Sequence, residues 1–482
     1  MNRRMIISTV GLMLLAEAGL LLLPLAVGLL YGEESVRATL LTIGIAVAAG
    51  LLLYLPARTK NRVIYAREGF LTVALCWLTV SAVGALPFFL SGQIPNYIDA
   101  FFEAVSGFTT TGASIMDGVQ IESMSKGLLF WRSFTHWVGG MGVLVFIMAL
   151  IPNLSERSIH IMRAEMPGPV VGKQLPRARD TAKILYIIYV VMTLVEIVLL
   201  CAGGMPLFDS TVHSFGSAGT GGFGIRADSV ASYSPYCQWV ITVFMLLFGV
   251  NFNLYYLLLA KKFRAAAQSS ECWYYLGIVA AAIVLICINV RSYFASFSDT
   301  LRAASFQVVS IITTTGYSTT DFDLWPHFSR TLLMVLMVIG ACAGSTGGGM
   351  KVSRVVLLFK MAGRELKHVL HPRSVNTVKF EGKRIDGTTL KGVSSYLALY
   401  VICVILTVLV LSAENYDITT NLSATLSCFN NIGPGLSLVG PSGSFGIFNG
   451  FSKLVLSFAM LLGRLEIIPM LVLFSPSTWL KK

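Results

Sequence analysis

The chain has 482 residues, of which 55% are hydrophobic and only 12% are charged. A soluble protein carries about twice that charged fraction, and many apolar stretches reach the roughly 20 residues that a bilayer crossing needs. The composition therefore excludes an ordinary soluble protein and predicts a polytopic membrane protein embedded in a lipid bilayer. The net charge of +12 does not indicate nucleic-acid binding, because basic loops alternate with acidic loops along the chain.

This alternation of charge predicts the orientation of the chain in the membrane. Lys and Arg gather near both termini and in 58–67, 157–183, 261–264 and 351–391. Cytoplasmic loops are enriched in Lys and Arg, so both termini are expected in the cytoplasm. The eight cysteines form no CxxC pair and mostly lie in apolar stretches, which indicates buried thiols and neither disulfides nor zinc ligands.

The N-terminal segment, residues 1–68, is predicted to be a transmembrane hairpin formed by Met5–Leu30 and Arg37–Pro56. The first of these stretches is too long for the apolar region of a signal peptide and has no small-residue cleavage site. It is therefore expected to remain in the protein as a membrane span.

From residue 69 onward, one order of segments recurs four times: a span, a short apolar helix, a Gly-containing loop and a second span. The predicted repeats are residues 69–150, 182–262, 273–360 and 392–482, with a basic cytoplasmic loop at 361–391. The short helices are expected at Ile98–Phe108, Leu207–Phe215, Asp299–Ile312 and Asp417–Phe429, and the second spans at Gly127–Leu150, Tyr236–Ala260, Phe328–Phe359 and Phe451–Phe474. The pattern predicts ten spans and four re-entrant helices.

The four loops carry related sequences, TTTGA, TGGFG, TTTGY and NIGPG, whose aligned glycines lie 110, 94 and 117 residues apart. Such recurrence indicates a fourfold internal repeat. A ring of loops of this kind forms a potassium-selective filter, because backbone carbonyls replace the water shell of the ion and Gly permits the required conformations. The predicted K⁺-binding filter residues are Thr110, Thr111, Gly112, Thr220, Gly221, Gly222, Thr314, Thr315, Gly316, Asn431, Ile432 and Gly433.

The predicted fold is an all-α polytopic membrane protein that resembles a K⁺ channel in a single chain. It combines a two-helix N-terminal hairpin with four pseudo-symmetric span–pore helix–filter–span repeats. Short helices at membrane depth require surrounding protein or water, and convergence on one axis meets that condition. Each short helix has a carboxylate near its outer end, at Asp99, Asp209, Asp299 and Asp417. These carboxylates are interpreted as helix caps, and a weakly negative vestibule that attracts cations is the alternative.

The second span of the third repeat is interrupted by the sequence GACAGSTGGGMK at Gly340–Lys351. Each Gly inside a helix costs about 1 kcal/mol relative to Ala, so a flexible break below the filter is favoured, and such a loop is a candidate gate. Close helix packing through small residues is an alternative. A phosphate-binding loop is disfavoured, because GxxxxGK[ST] is not satisfied and no strand precedes the segment.

Arg464 lies in the middle of the last predicted span, where a charged side chain requires a partner or a water-filled cavity. The preferred interpretation places it in the pore as an electrostatic barrier beside the Gly-rich break, and a salt bridge with Glu466 or Glu196 is the alternative. The predicted gate residues are Gly340, Gly344, Ser345, Thr346, Gly347, Gly348, Gly349, Lys351 and Arg464. Arg132 and His136 are interpreted as packing or outer-mouth residues, with proton handling as the alternative.

Several longer segments together resemble the Trk/Ktr/HKT superfamily of K⁺ transporters. These are TTTGAS at 109–114, WRSFTHWVGGMG at 131–142, EMPGP at 165–169, TGGFG at 220–224, TTTGYST at 313–319, GSTGGGMK at 344–351, NNIGPG at 430–435 and GRLEIIP at 463–469. The resemblance covers nearly the whole chain, including the N-terminal hairpin.

The resemblance implies a homodimer in the bacterial inner membrane, with one pore in each protomer and K⁺ as the transported ion. It also implies a cytosolic ring of TrkA-like regulatory proteins, which would carry the nucleotide, so no cofactor is expected on this chain. Members with Ser in place of the first filter glycine tend to carry Na⁺, so Gly112 favours K⁺. The loop at Asn431 has no Thr, which implies a less ideal fourth quadrant and looser selectivity.

Two other classes of function remain as alternatives. A Na⁺ pathway or an H⁺- or Na⁺-coupled symporter would use the same fold, and the sequence does not separate conduction from coupling. A membrane-embedded enzyme is disfavoured, because the chain has no HExxH motif and no acidic pair at metal-ligand spacing.

Overall fold

The computed structural model describes residues 2–58, 66–142, 178–374 and 376–479. The first half of this described chain contains the helices α1 (Arg3–Leu20), α2 (Leu22–Tyr31), α3 (Ser35–Ala57), α4 (Ala66–Gly84), α5 (Leu86–Leu90), α6 (Tyr97–Phe108), α7 (Gly118–Ser123), α8 (Lys126–Gly140), α9 (Ala178–Ala202), α10 (Leu207–Gly219), α11 (Pro235–Phe248) and α12 (Phe252–Leu259). The second half contains α13 (Phe263–Ala267), α14 (Ser270–Val290), α15 (Phe297–Ile312), α16 (His327–Ile339), α17 (Val352–Leu370), α18 (Gly387–Leu411), α19 (Ile418–Asn430), α20 (Gly450–Arg464), α21 (Ile468–Phe474) and α22 (Pro476–Trp479). A two-stranded hairpin joins β1 (Lys379–Phe380) to β2 (Lys383–Arg384).

Six helical segments of the described chain are long and apolar enough to cross a membrane. They are Arg3–Tyr31, Ser35–Ala57, Arg67–Leu90, Lys183–Ala202, Ser270–Tyr293 and Gly387–Glu414. The last four are the first spans of the four repeats, and the first two form the N-terminal hairpin. The predicted order of a hairpin followed by four repeats is therefore present in the fold.

The N-terminal hairpin packs closely through glycine. A Cβ on Gly11 would lie 2.8 Å from the carbonyl oxygen of Gly50, so the backbones of α1 and α3 approach each other without intervening side chains. Glu33, in the turn after α2, accepts hydrogen bonds from the backbone amides of Lys126 (2.5 Å) and Gly127 (2.9 Å). Its carboxylate thus caps the positive N-terminal end of α8 and ties the hairpin to the first repeat.

The four predicted short helices are α6, α10, α15 and α19. Three begin at a side-chain cap, in which Asn96, Ser296 and Asp417 accept hydrogen bonds from amides of the first turn. The second short helix ends at Gly219, four residues beyond the predicted Phe215, because small residues continue the helix where Gly216 lies against the Tyr317 side chain and Gly219 against the His136 backbone.

The second helices of the second, third and fourth repeats are interrupted, whereas the sequence predicted a break only in the third. The predicted span Tyr236–Ala260 is instead α11 and α12, which meet at 89°. The predicted span Phe451–Phe474 is α20 and α21, separated at Leu465–Ile467, where Glu466 and Ile467 have positive φ. Both breaks follow a glycine that packs against a pore segment, Gly249 against Thr313 and Gly463 against the carbonyl of Phe429.

Other predicted segments differ in extent or lie outside the description. Residues 143–150 of the span predicted at Gly127–Leu150, the EMPGP motif and most of the basic stretches 58–67 and 157–183 lie outside the described residues. The loop predicted at 361–391 instead begins as helix, since α17 extends to Leu370, and then forms the β1–β2 hairpin. Glu381 and Gly382 at its turn both have positive φ, as a two-residue hairpin loop requires.

Candidate functional site: a ring of four backbone loops

The four pore helices end in the same backbone geometry. Each helix is followed by a residue in the left-handed region, with φ between 54° and 60°, at Thr110, Thr220, Thr314 and Asn431. The amide of the next residue donates to a carbonyl five positions back over 2.8 to 3.0 Å in all four loops. This is the Schellman termination of a helix. Asn tolerates left-handed φ better than most residues, so the fourth loop keeps this geometry without Thr.

The aligned glycines come next and close the ring. Gly112, Gly222, Gly316 and Gly433 all have positive φ. A Cβ on Gly112 would overlap the carbonyl oxygen of Gly221, one on Gly222 that of Thr315, and one on Gly316 that of Ile432. A Cβ on Gly433 would lie 3.0 Å from the carbonyl oxygen of Thr111, so the fourth loop contacts the first. The four loops therefore surround one centre in chain order.

The four glycines also line one open cavity of about 110 Å³, on the side of the ring away from the Gly-rich segment; this side is called outer below. All of the predicted filter residues lie in the four loops that meet here. Of the eight carbonyl oxygens at the aligned glycines and at the residues directly before them, seven accept no hydrogen bond from a described residue, namely those of Thr111, Gly112, Gly221, Gly222, Thr315, Gly316 and Ile432. Buried carbonyls without donors are strong ligands for a dehydrated monovalent cation.

Side chains of the loops bond to each other. The hydroxyls of Thr109 and Thr111 lie 2.8 Å apart, and the same distance separates the hydroxyls of Thr313 and Thr315. Asn431 donates from its amide to the Thr111 hydroxyl at 2.9 Å. The fourth loop differs in one respect, because the carbonyl of Gly433 accepts a hydrogen bond from the Ser427 hydroxyl at 2.5 Å.

The Gly-rich segment between α16 and α17 lies against the base of the ring. The amide of Gly348 donates to the hydroxyl of Thr314 at 2.6 Å, and a Cβ on Gly348 would overlap the carbonyl of Asn430. The segment begins and ends at residues with positive φ, Gly340 and Lys351, and the Lys351 ammonium donates back to the carbonyl of Gly347. The predicted break is therefore a folded loop directly beneath the ring.

Arg464 joins three parts of the molecule at this level. Its guanidinium donates to the carbonyl of Thr346 in the Gly-rich segment at 2.9 Å and to the hydroxyl of Thr110 at 3.3 Å. It also donates to the carbonyls of Gly139 and Gly140, at the end of α8, at 2.5 and 2.7 Å. The alternative interpretation, a salt bridge between Arg464 and Glu466, is wrong, because Glu466 pairs with Arg354.

Glu271 holds both ends of the Gly-rich segment, a role that was not predicted from the sequence. Its Oε1 accepts from the amide of Ala343 at 2.8 Å and from the amide of Ser353 at 3.1 Å. Glu381, in the turn of the β-hairpin, accepts in turn from the amide of Glu271 at 2.9 Å. A carboxylate in the first turn of a helix usually compensates the helix dipole, so its sequence position alone indicates only that role.

The outer carboxylates of the short helices have local partners. Asp99 lies 2.7 Å from the Lys453 ammonium, Asp209 lies 3.4 Å from Arg226, and Asp299 lies 2.8 Å from Arg302. Asp417 accepts from the amide of Thr420 as the cap of α19. The interpretation as helix caps therefore holds only for Asp417. Asn96, Pro206 and Ser296 occupy the cap positions of the other three helices, whose carboxylates lie in the first turn and pair with a neighbouring cation.

Comparison with known proteins gives the same fold over the same length. The model of the TrkH family, described as a cation transport protein, matches residues 36–286 and 272–481. The Trk system potassium uptake protein TrkH of Salmonella typhimurium is 38% identical, with 99% of this chain and all of that protein covered. TrkG of Escherichia coli K12, also named a Trk system potassium uptake protein, is 32% identical over 95% of this chain and 94% of its own.

A solved structure has the same overall fold. The crystal structure of the potassium transporter TrkH from Vibrio parahaemolyticus matches with a TM-score of 0.89 and 34% sequence identity, covering 99% of this chain and all of that chain. With a family model and full-length relatives in agreement, the chain belongs to the TrkH family of cation transport proteins.

Proposed function

We propose that the protein takes up potassium ions across the bacterial inner membrane through the ring of four loops. The observation that carries this proposal is the set of seven donor-free carbonyl oxygens around one centre. Such oxygens replace the hydration shell of a monovalent cation without a charged ligand. The names of the relatives, which are potassium uptake proteins, support K⁺ as the ion.

The Gly-rich segment and Arg464 form the gate of this pathway. The segment lies in contact with Thr314 and Asn430 at the base of the ring, and Arg464 places a positive charge at the same level. A cation that leaves the ring toward the cytoplasm would meet both obstacles. Opening would then require the segment to move away and Arg464 to release the carbonyl of Thr346.

The protein acts as a homodimer with both termini in the cytoplasm and one pore in each protomer. A cytosolic TrkA-like ring that binds a nucleotide would dock on the basic cytoplasmic face. The β-hairpin belongs to this face and connects to the gate through Glu381 and Glu271. The nucleotide would stay on the partner, and K⁺ would be cargo.

Flux through the purified protein tests the proposal. The full chain would be reconstituted into vesicles, and uptake of K⁺, Rb⁺ and Na⁺ would be measured with and without the cytosolic partner. Selective K⁺ and Rb⁺ uptake that the partner increases would support the proposal. Preferential Na⁺ uptake, or K⁺ uptake that follows a pH gradient at clamped voltage, would support a Na⁺ pathway or a coupled symporter instead.

A further inference from the structure

A buried ion pair lies immediately behind the outer ends of the first two filter loops. The guanidinium Nε of Arg132, on α8, lies 2.6 Å from Oε1 of Glu103, on the pore helix α6. The two side chains are 2% and 0% exposed. A pair this deeply buried repays its desolvation only when both partners also satisfy their remaining hydrogen-bonding groups.

Glu103 contacts the chain just beyond the first filter. Its carboxylate accepts from the hydroxyl of Ser114 at 3.0 Å and from the amide of Ile115 at 3.1 Å. These two residues directly follow Gly112 and Ala113, so the carboxylate holds the outer end of the first loop.

Arg132 contacts the chain just beyond the second filter. It donates to the carbonyl of Gly224 at 2.9 Å, and its guanidinium lies 3.5 Å from the centre of the Phe223 ring. Planar stacking and a hydrogen bond together fix the orientation of a guanidinium. Arg132 also lines the outer cavity, so its charge faces the route by which a cation reaches the ring.

The boundary between the second and third filters is joined differently. There the Tyr317 hydroxyl donates to the carbonyl of His213 at 3.0 Å, and the amide of Ser318 donates to the Ser229 hydroxyl at 3.3 Å. Neither of these hydrogen bonds involves a charged group. The first boundary instead uses a charged group from each of two helices and reaches both loops at once.

We propose that Glu103 and Arg132 are positioning residues that set the separation of the first and second filter loops and thereby contribute to K⁺ over Na⁺ discrimination. This inference rests on the proposed function, since it assigns a role within the same pore. Glu103 also neutralises Arg132 at the mouth. The pair therefore has two separable effects, one on the geometry of the ring and one on the entry of cations.

The test uses Glu103→Gln, Arg132→Met and the double variant in reconstituted full-length protein, with K⁺ and Na⁺ uptake measured separately. Glu103→Gln should lower uptake of both cations, because it leaves the guanidinium uncompensated. It should also lower the K⁺/Na⁺ ratio by about fivefold or more, or about 1 kcal/mol of differential binding. The double variant should recover total uptake relative to Glu103→Gln and keep the low ratio.

Asp99→Asn is the matched control. Asp99 lies one helical turn before Glu103 on α6 and pairs with Lys453, and that pair contacts neither filter loop. The control should leave the K⁺/Na⁺ ratio within about twofold of the wild type, or about 0.4 kcal/mol. Thermal melting of each variant in detergent identifies loss of fold, which would change both uptake rates without a specific change in ratio.

Two results would overturn the inference. One is an unchanged K⁺/Na⁺ ratio in folded Glu103→Gln and in the double variant, which would make the pair a packing contact. The other is a double variant that recovers both uptake and ratio, which would make the effect electrostatic only. A wild type without selective K⁺ uptake would instead reject the proposed function, so the two failures are distinguishable in the same vesicles.

Discussion

The ring of filter loops and the layer directly beneath it follow different rules. In the ring, four segments from distant parts of the chain share one helix termination, one left-handed residue and one glycine with positive φ. Beneath it, only the third repeat supplies a long Gly-rich loop and only the fourth supplies Arg464, among the described residues. The upper layer is nearly fourfold symmetric and the lower layer is not.

The difference follows from the roles proposed for the two layers. Coordination of a dehydrated cation requires equivalent oxygens on all sides, so each repeat must supply the same backbone. Obstruction of a pathway needs only one segment that has two positions. The segment proposed to move is Gly-rich but buried, and its displacement would break its hydrogen bonds to Thr314, Glu271 and Arg464.

The largest effect is expected from a substitution that breaks the symmetry of the ring. Gly316→Ala introduces a Cβ that overlaps the carbonyl of Ile432 at a residue with φ of 83°. A left-handed non-Gly residue alone costs about 1–2 kcal/mol, so K⁺ uptake should fall by about tenfold or more. The measurement is Rb⁺ uptake into vesicles.

Gly433→Ala is the matched control, because its Cβ would lie 3.0 Å from the nearest atom, and it should cause a smaller loss of uptake. Equal losses of Rb⁺ uptake in the two variants would contradict the difference between the two Cβ distances.

The next largest effect is expected when the positive charge below the ring is removed. Arg464→Ala abolishes the hydrogen bonds to Thr346, Thr110 and the end of α8. A hydrogen bond to a charged group contributes about 1.5–3 kcal/mol. Loss of one such contact to the closed loop should therefore raise basal K⁺ uptake by about tenfold.

Deletion of 344–349 should raise basal uptake in the same direction, whereas Arg464→Lys should have an intermediate effect, because an ammonium does not reproduce the planar fork. Lower basal uptake in correctly inserted Arg464→Ala protein would argue against a gate.

A smaller effect tests the anchor of the loop. Glu271→Gln keeps an acceptor for the amides of Ala343 and Ser353 but removes its charge. Charge-assisted hydrogen bonds are about twice as strong as neutral ones, so basal uptake should rise by about threefold. Glu381→Gln is the control, since Glu381 contacts the same helix start at Glu271 and does not contact the loop. A larger increase in basal uptake in Glu381→Gln would place the control point in the β-hairpin.

The smallest effect concerns the side chain that distinguishes the fourth loop. Asn431→Thr restores the residue type of the other three loops at the same left-handed position. The ligands are main-chain oxygens, so the K⁺/Na⁺ uptake ratio should change by no more than about twofold. A marked gain in selectivity would show that the Asn431 side chain, which bonds to Thr111, limits the ring.

Local sequence predicted the elements of the fold well. The cap Asp417 and glycines such as Gly112 and Gly316 act within a few residues, so their sequence positions correctly located the short helices and the loops. The breaks at Gly249–Asn251 and Leu465–Ile467 were missed. Their cause is the close approach of Gly249 and Gly463 to pore segments of the folded chain, a contact with no local signal.

The amino-acid sequence was sufficient to predict four Gly-containing loops after four short apolar helices, because glycine content and hydrophobic length are properties of neighbouring residues. The left-handed Thr residues before the glycines, and the pairing of buried polar groups, depend on the packing of the folded chain. Arg464 and Thr110 are 354 residues apart, and Arg132 reaches Gly224 across 92 residues. A long charged side chain can satisfy its donors in many ways, and only the packing of the helices selects among them.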